Sequence, residues 1–336
     1  MVSKSASNTT RATGNEMNAR TAEVVACIGG VVVDRKARVI ERLHPGTSNP
    51  VTVRSCPGGV VCNIARNLAK LGCETAIFSI VGRDAEAERL LDDLKTPNLD
   101  LSRVSLSSTR PTASYTAVLD EKGQLFIGLA DMAIFEELDL AWADSIASAM
   151  ARSKFWILDA NLPAATIKRL LCANQGGATV FVDPISVAKA ARVHPVLDEI
   201  DVLFPNAKEA AVLSGHSVAT RDDLVQAAAE IRRRGVGTVI VTLGEDGVYL
   251  DNGEQGRFIQ AIPARKISDV TGAGDALVAG YVYAVVAGER YEPALWGLAA
   301  ASLTVETEES IAPNLGRESV LKRIDESLAQ LETNNL

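Results

Sequence analysis

Short apolar runs rich in strand-forming residues alternate with helix-period stretches along most of the chain. Candidate strands are VVACIG (24–29), TAIFSIV (75–81), FWILDA (155–160), TVFVD (179–183), DVLF (201–204) and TVIVTL (238–243). Between them lie NIARNLAKLG (63–72), AEAERLLDDL (85–94) and LVQAAAEIRRRG (224–235). In the last, Leu224, Ala227, Ala228 and Ile231 recur at helical spacing and Gly235 closes the run. Parallel neighbours need a long crossover, and a helix is its usual form. The alternation therefore predicts an α/β fold: a mostly parallel central sheet flanked by helices on both faces. After residue 272 the pattern is helical to the end.

Two segments interrupt the alternation. NPVTVRSC (49–56) and TASYTAVLDEKGQLFIGLA (112–130) have strand character but no helix between their halves. The second reads as a hairpin turning at DEKG, with Gly123 in the turn. These strands, around 37–57 and 109–131, predict a small β-lid that covers a site or makes a dimer surface; the alternative is an antiparallel edge on the main sheet. Residues 1–22 are rich in Ser, Thr and Asn with no apolar segment, which predicts a disordered tail before one domain over 23–336.

Composition narrows the function classes. The chain has 336 residues, is 47% hydrophobic and carries a formal net charge of −8. An acidic chain without basic blocks does not suit nucleic acid or a membrane surface. No apolar run reaches the length of a membrane span. Cys27, Cys56, Cys62, Cys73 and Cys172 are odd in number and contain no C-x-x-C pair, which fits free thiols in the cytoplasm. His44, His194 and His216 lie far apart, so neither a zinc site nor a histidine base is expected.

The residues with chemical potential sit where apolar runs end. Gly29 and Gly30 follow the first strand, with Asp34 four residues on. Gly58 and Gly59 precede a helix that carries Asn63 in its first turn. Paired glycines let a ligand approach the backbone, and Asp34 and Asn63 suit vicinal hydroxyls; equally, these are a turn and a helix cap. FPNAKEA places Glu209 three residues after Asn206, either to hold a magnesium-bound water or as a capping box. VIVTLGEDGVYL offers Thr242, Gly244 and a turn at Gly247, suited to phosphate oxygens or to an ordinary hairpin.

DVTGAGDA (269–276) is the most specific stretch. Gly272, Ala273 and Gly274 open a helix whose free N–H groups form an anion site. A carboxylate beside that site, Asp275, repels a passively bound phosphate. It makes sense as a base for a hydroxyl that attacks a phosphoryl group. The P-loop pattern is absent, and so is G-x-G-x-x-G after the first strand, which speaks against a dinucleotide oxidoreductase.

Taken in order, PGGVVCNIARNLAKLG, FPNAKEA and DVTGAGDA resemble the ribokinase-like (PfkB) family of carbohydrate and nucleoside kinases, over about residues 23–331. The resemblance implies a ribokinase-like fold, ATP and Mg2+ as cofactors, and K+ as a helper cation. It implies Asp275 as catalytic base and Gly272, Ala273 and Gly274 as the anion hole. Asp34, Gly58, Gly59 and Asn63 would hold the sugar; Asn206 and Glu209 would serve the magnesium–phosphate shell. Thr242, Gly244 and Gly247 would lie along ATP, and Asp269 and Thr271 near the monovalent cation.

Within the family, SNP (48–50), ARNL (65–68), LDANLP (158–163) and VDPISVAK (182–189) resemble the pseudouridine kinase branch. That likeness implies Thr112, Ser114, Asp131 and Met132 against the base, and Lys189 near a phosphate. The chain departs from the branch at Ala133-Ile134, where an Asn is expected. The function expected is ATP-dependent phosphorylation of a nucleoside 5′-hydroxyl, most similar to that of pseudouridine. The alternatives are a ribokinase, an adenosine/inosine-type kinase, another sugar kinase, or a nucleotide-binding regulator without turnover. Exposed lid strands predict a homodimer.

Overall fold

A computed structural model describes residues 24–174 and 177–334; the expected tail over 1–22 lies outside the described residues. The chain opens with β1 (Val25–Ile28), β2 (Val32–Val39) and β3 (Val51–Gly58), followed by α1 (Val60–Leu71). Next come β4 (Thr75–Gly82), α2 (Ala85–Asp93), β5 (Leu99–Asp100), β6 (Val104–Ser107), β7 (Ser114–Leu119) and β8 (Leu125–Asp131). The regular alternation then runs α3 (Leu140–Met150), β9 (Phe155–Asp159), α4 (Ala164–Cys172), β10 (Thr179–Asp183), α5 (Val187–Ala190), β11 (Val202–Leu203) and α6 (Ala207–Ser214). It closes with α7 (Arg221–Arg233), β12 (Thr238–Thr242), β13 (Val248–Asp251), β14 (Arg257–Ile259), α8 (Ala273–Ala287), α9 (Pro293–Thr304) and α10 (Arg317–Asn334).

The main sheet has ten strands in the order β14-β13-β12-β11-β10-β9-β1-β4-β5, with β6 also on β4. It is parallel from β12 through β5, and β13 runs against both of its neighbours, β12 and β14. Alternate strand residues feed two cores. Val25 and Cys27 join one cluster with α1, α8 and α9; Ala26 and Ile28 join the other with α3, α4 and α7. That period of two is why the strands read as unbroken apolar runs. Helix α8 is buried nearly all round, and glycines let its backbone meet α9: a Cβ on Gly280 would fall 2.5 Å from Trp296 O.

Strand order reverses at β1. The chain leaves β1 for β4 on one side, while β9, β10, β11 and β12 follow in turn on the other. The crevice above the carboxyl ends of β1 and β9 is thus the switch point where open α/β sheets take ligands.

The second sheet is separate from the first, with strand order β3-β2-β7-β8. The hairpin β7–β8 turns through Gly123 at φ 81°, and Asp120 and Gln124 close the turn. Strand β2 begins at Val32, earlier than the sequence pattern suggests. Asp34, Arg35, Lys36 and Arg38 break up its apolar residues and disguise it. Helix α1 likewise starts at Val60 rather than near Asn63, because Gly59 supplies the N-cap position.

Candidate active site

Four segments meet above the switch point. Gly59 adopts φ 96°, and a Cβ there would fall 2.4 Å from Gly30 O; the neighbouring Gly58 would push a Cβ within 1.9 Å of Asp34 Oδ2. The glycine pair is therefore required by close approach, and it seats the start of α1 against the turn after β1 and the Asp34 carboxyl on β2.

Asn63 does not cap α1. Its side-chain Nδ2 donates to Asp275 Oδ2 at 2.8 Å, across 212 residues of sequence. Its Oδ1 is buried with no partner among the described residues, an acceptor suited to a hydroxyl. Asp275 lies in the first turn of α8, half-buried. Burial pushes its carboxyl up to about 7; the Asn63 bond works against that, and the charges of Asp159 and Asp34 add to it. Burial likewise lifts Asp34 to about 6, opposed by Lys36.

The α8 N-terminus is built by Gly272 at φ 81°, where a Cβ would fall 2.2 Å from Ser310 O. Only glycine fits that corner. Gly274 faces open space in front of the helix end, so an anion can reach the N–H groups of Gly274 and Asp275, whereas the Ala273 N–H, expected in the anion hole, donates to Val270 O at 3.3 Å. The helix field and the raised carboxyl thus stand side by side: one side takes negative charge, the other a proton.

Asn206 and Glu209 form a full capping box. Asn206 Oδ1 accepts from the N–H groups of Lys208 and Glu209, while Glu209 accepts from Asn206 N at 2.9 Å and Asn206 Nδ2 at 2.6 Å. The box holds Glu209 buried, which raises its carboxyl, and Asn206 bridges to Thr242 at the end of β12. No group of three or more His, Cys, Asp or Glu among the described residues is arranged to hold a metal ion. One fixed carboxylate suits a magnesium ion carried in on nucleotide phosphates, not an all-protein cage.

Several expected contacts fall elsewhere. Thr112 is committed to Asp84: its Oγ1 donates to Oδ1 and its N–H to Oδ2, both at 2.7 Å, and Oγ1 accepts from Gly82 N. It anchors the corner between β4 and α2 and has no hydroxyl to offer a base. Ser114 and Asp131 share a row with Val33, whereas Asp34 shares its row with Cys56, Tyr115 and Ala130. Adjacent rows point to opposite faces, so Ser114 and Asp131 turn away from the Asp34 face. Met132 and Tyr115 are each partly buried against the second core cluster. Gly247 faces the backbone of Ile259 and Ala261 and closes the β12–β13 turn, whereas Gly244 faces open space. Lys189 Nζ donates to Asn161 Oδ1. Asp269 Oδ1 accepts from Thr271 N and Oγ1, and Asp269 Oδ2 accepts from Lys36 Nζ on the small sheet.

Three residues of the site escaped the sequence reading. Asp159 and Asp183 end the adjacent strands β9 and β10 in register. Asp159 accepts from Gly30 N, Val61 N, Asn161 N and Asn161 Nδ2, tying the β1 turn to the head of α1. Asp183 accepts from Ile185 N and lies within electrostatic range of Asp275, Glu209 and Asp159. The signal was an Asp closing each of two successive apolar runs. Tyr115 was hidden because hairpin register, not pattern, sets its face; its hydroxyl lies over Gly128.

Comparison with known proteins agrees with this geometry. A model of the pfkB family of carbohydrate kinases matches residues 22–315. The pseudouridine kinase of Escherichia coli (strain K12) is 30% identical over 310 residues, covering 91% of this chain and 98% of that protein. The ribokinase of Arabidopsis thaliana is 31% identical over 301 residues, covering 86% of this chain and 78% of the other. The solved structure of Arabidopsis thaliana ribokinase complexed with ribose and ATP superposes with a TM-score of 0.81 at 27% identity, covering 90% and 99% of the two chains. A carboxylate at the head of α8, a glycine-seated start of α1 and a ribokinase-like sheet thus coincide with a family match across most of the chain, which belongs to the pfkB family of carbohydrate kinases, phosphotransferases with an alcohol group as acceptor.

Proposed function

We propose that this chain transfers the γ-phosphoryl group of ATP to the ribose 5′-hydroxyl of a nucleoside, pseudouridine before others. The observation that carries the reading is the Asn63–Asp275 hydrogen bond at the open end of α8. It brings a hydroxyl-binding side chain and a raised carboxylate to one point. Asp34 and the free Asn63 Oδ1 accept from ring hydroxyls and fix the ribose. Asp275 takes the proton of the 5′-hydroxyl as its oxygen attacks in line. The N–H groups of Gly274 and Asp275 take the charge that develops on the transferring group. Glu209, held by the Asn206 box, would sit by a magnesium ion bound with the nucleotide, which would supply neutralisation of the phosphate charge. Thr242 and Gly244 line the path of ATP beside it.

Two observations favour a nucleoside over a bare sugar. Pseudouridine kinase is among the relatives that match over nearly full length. Tyr115 sets an aromatic ring on the Asp34 face of the small sheet, a surface on which a base stacks. A ribokinase relative keeps the sugar reading as the competitor. The small sheet serves as lid and as dimer surface: every residue of its edge strand β8 is exposed, including Leu125, Phe126, Ile127 and Leu129. Free cysteines and the absence of any described helix able to cross a membrane fit a cytoplasmic enzyme.

The test is a phosphorylation assay with ATP and magnesium against pseudouridine, uridine, adenosine, inosine and ribose, with products weighed by mass spectrometry. The reading expects pseudouridine 5′-phosphate to form with the highest kcat/KM. Preference for ribose would replace the nucleoside assignment. No product from any acceptor would leave a nucleotide-binding regulator.

A further inference from the structure

Lys36 and Asp269 are separated by 233 residues, yet Lys36 Nζ donates to Asp269 Oδ2. The same nitrogen lies 3.5 Å from Thr271 Oγ1. Asp269 Oδ1 is already taken by Thr271 N at 2.9 Å and Thr271 Oγ1 at 2.7 Å. One residue further on, Gly272 begins the α8 anion hole. Lys36 stands two residues from Asp34 on β2, so both point to the same face of the small sheet. The lysine and aspartate side chains are 34% and 27% exposed, so water screens the pair only in part.

The family resemblance implies a monovalent cation near Asp269 and Thr271. The residues present do not fit a second cation there. One carboxylate oxygen faces an ammonium group, and the Thr271 hydroxyl hydrogen points to the other. An added ion would sit against a like charge in a partly desolvated corner.

We propose that Lys36 is the resident cation of this corner. Its tethered ammonium balances Asp269 and holds the loop that leads into Gly272–Gly274, and phosphoryl transfer therefore proceeds without K+. Lys36 touches neither substrate nor phosphate; it is a positioning residue. Because it sits on β2, the charge arrives at the anion-hole loop together with the small sheet. The inference rests on the kinase reading above.

The test uses the full chain and the variants Lys36→Met and Lys36→Arg, each in KCl or choline chloride at equal ionic strength, about 100 mM. Lys36→Gln serves where the Met variant does not fold. Wild type and Lys36→Arg are expected to turn over equally in both salts, within about twofold. Lys36→Met is expected to lose roughly tenfold or more in choline and to recover in KCl. Its Tm is expected to rise by about 2–4 °C in KCl over choline, while the wild-type Tm does not move. A wild type that needs K+, a wild-type Tm that rises with K+, or a Lys36→Met enzyme indifferent to K+ would each overturn the proposal. Absence of turnover in every form would overturn the kinase reading instead, and the Tm comparison would still decide the role of Lys36.

Discussion

As the proposed base, Asp275 carries two opposed requirements. It must be a carboxylate to take a proton, yet burial lifts it to about 7 from an ordinary 3.8. In the proposed mechanism, kcat/KM accordingly climbs with pH and levels off above about 7. The Asn63 hydrogen bond lowers the carboxyl, so its removal acts in the other direction. Asn63→Ala is expected to move the midpoint of the pH–kcat/KM profile up by about one pH unit; an unmoved midpoint, measured at saturating ATP, would show that the bond does not tune the base. The stability sign is fixed as well. Because the folded value is raised, the neutral carboxyl stabilises the fold below 3.8, and that contribution is lost as pH rises through about 7. At this scale the close approaches that shape the candidate site were legible. Gly58-Gly59 and Gly272 could be read because a backbone that must pass close to a carboxylate or to another stretch of backbone leaves glycines behind. Thr112 was misread because a hydroxyl in a sequence does not say which partner it has; Asp84 takes it.

At the scale of elements, the alternation of apolar runs gave away the parallel sheet because strands buried on both faces have no polar side. Strand β2 lacks that property. It carries Asp34 and Lys36 toward the site, and Arg35 makes an ion pair with Glu86 of α2, so charge conceals it. The short strands β5 and β6 are set by pairing to β4 rather than by any run of their own. The same division separates anchors from contacts. Thr112 fastens the segment before β7 to the start of α2 through Asp84, whose Oδ1 also caps that helix at Ala87 N. Thr112→Val is therefore expected to cost about 1–2 kcal/mol, read as a lowered denaturant midpoint, with the ranking of acceptors unchanged. A switch in acceptor preference without loss of stability would return Thr112 to the substrate site.

At the scale of the molecule, the two sheets define the working geometry. The main sheet places Asp159 and Asp183 at the ends of adjacent strands, α8 brings the proposed anion hole, and the small sheet carries Asp34, Tyr115 and Lys36. Its far strand β8 leaves Leu125, Phe126, Ile127 and Leu129 exposed along an unpaired edge, a surface expected to be covered in solution. The proposed homodimer predicts about twice the mass of one chain by light scattering at micromolar concentration, and Ile127→Lys is expected to shift it toward monomer. A monomeric wild type would contradict that assembly. All of these features converge on one carboxylate at the head of α8. The most direct measurement is single-turnover phosphoryl transfer by Asp275→Asn with pseudouridine and saturating ATP. The expected result is a loss of roughly 10²–10⁴-fold, with ATP affinity kept and a Tm at pH 8 no lower than wild type; transfer within about tenfold of wild type would contradict Asp275 as the base.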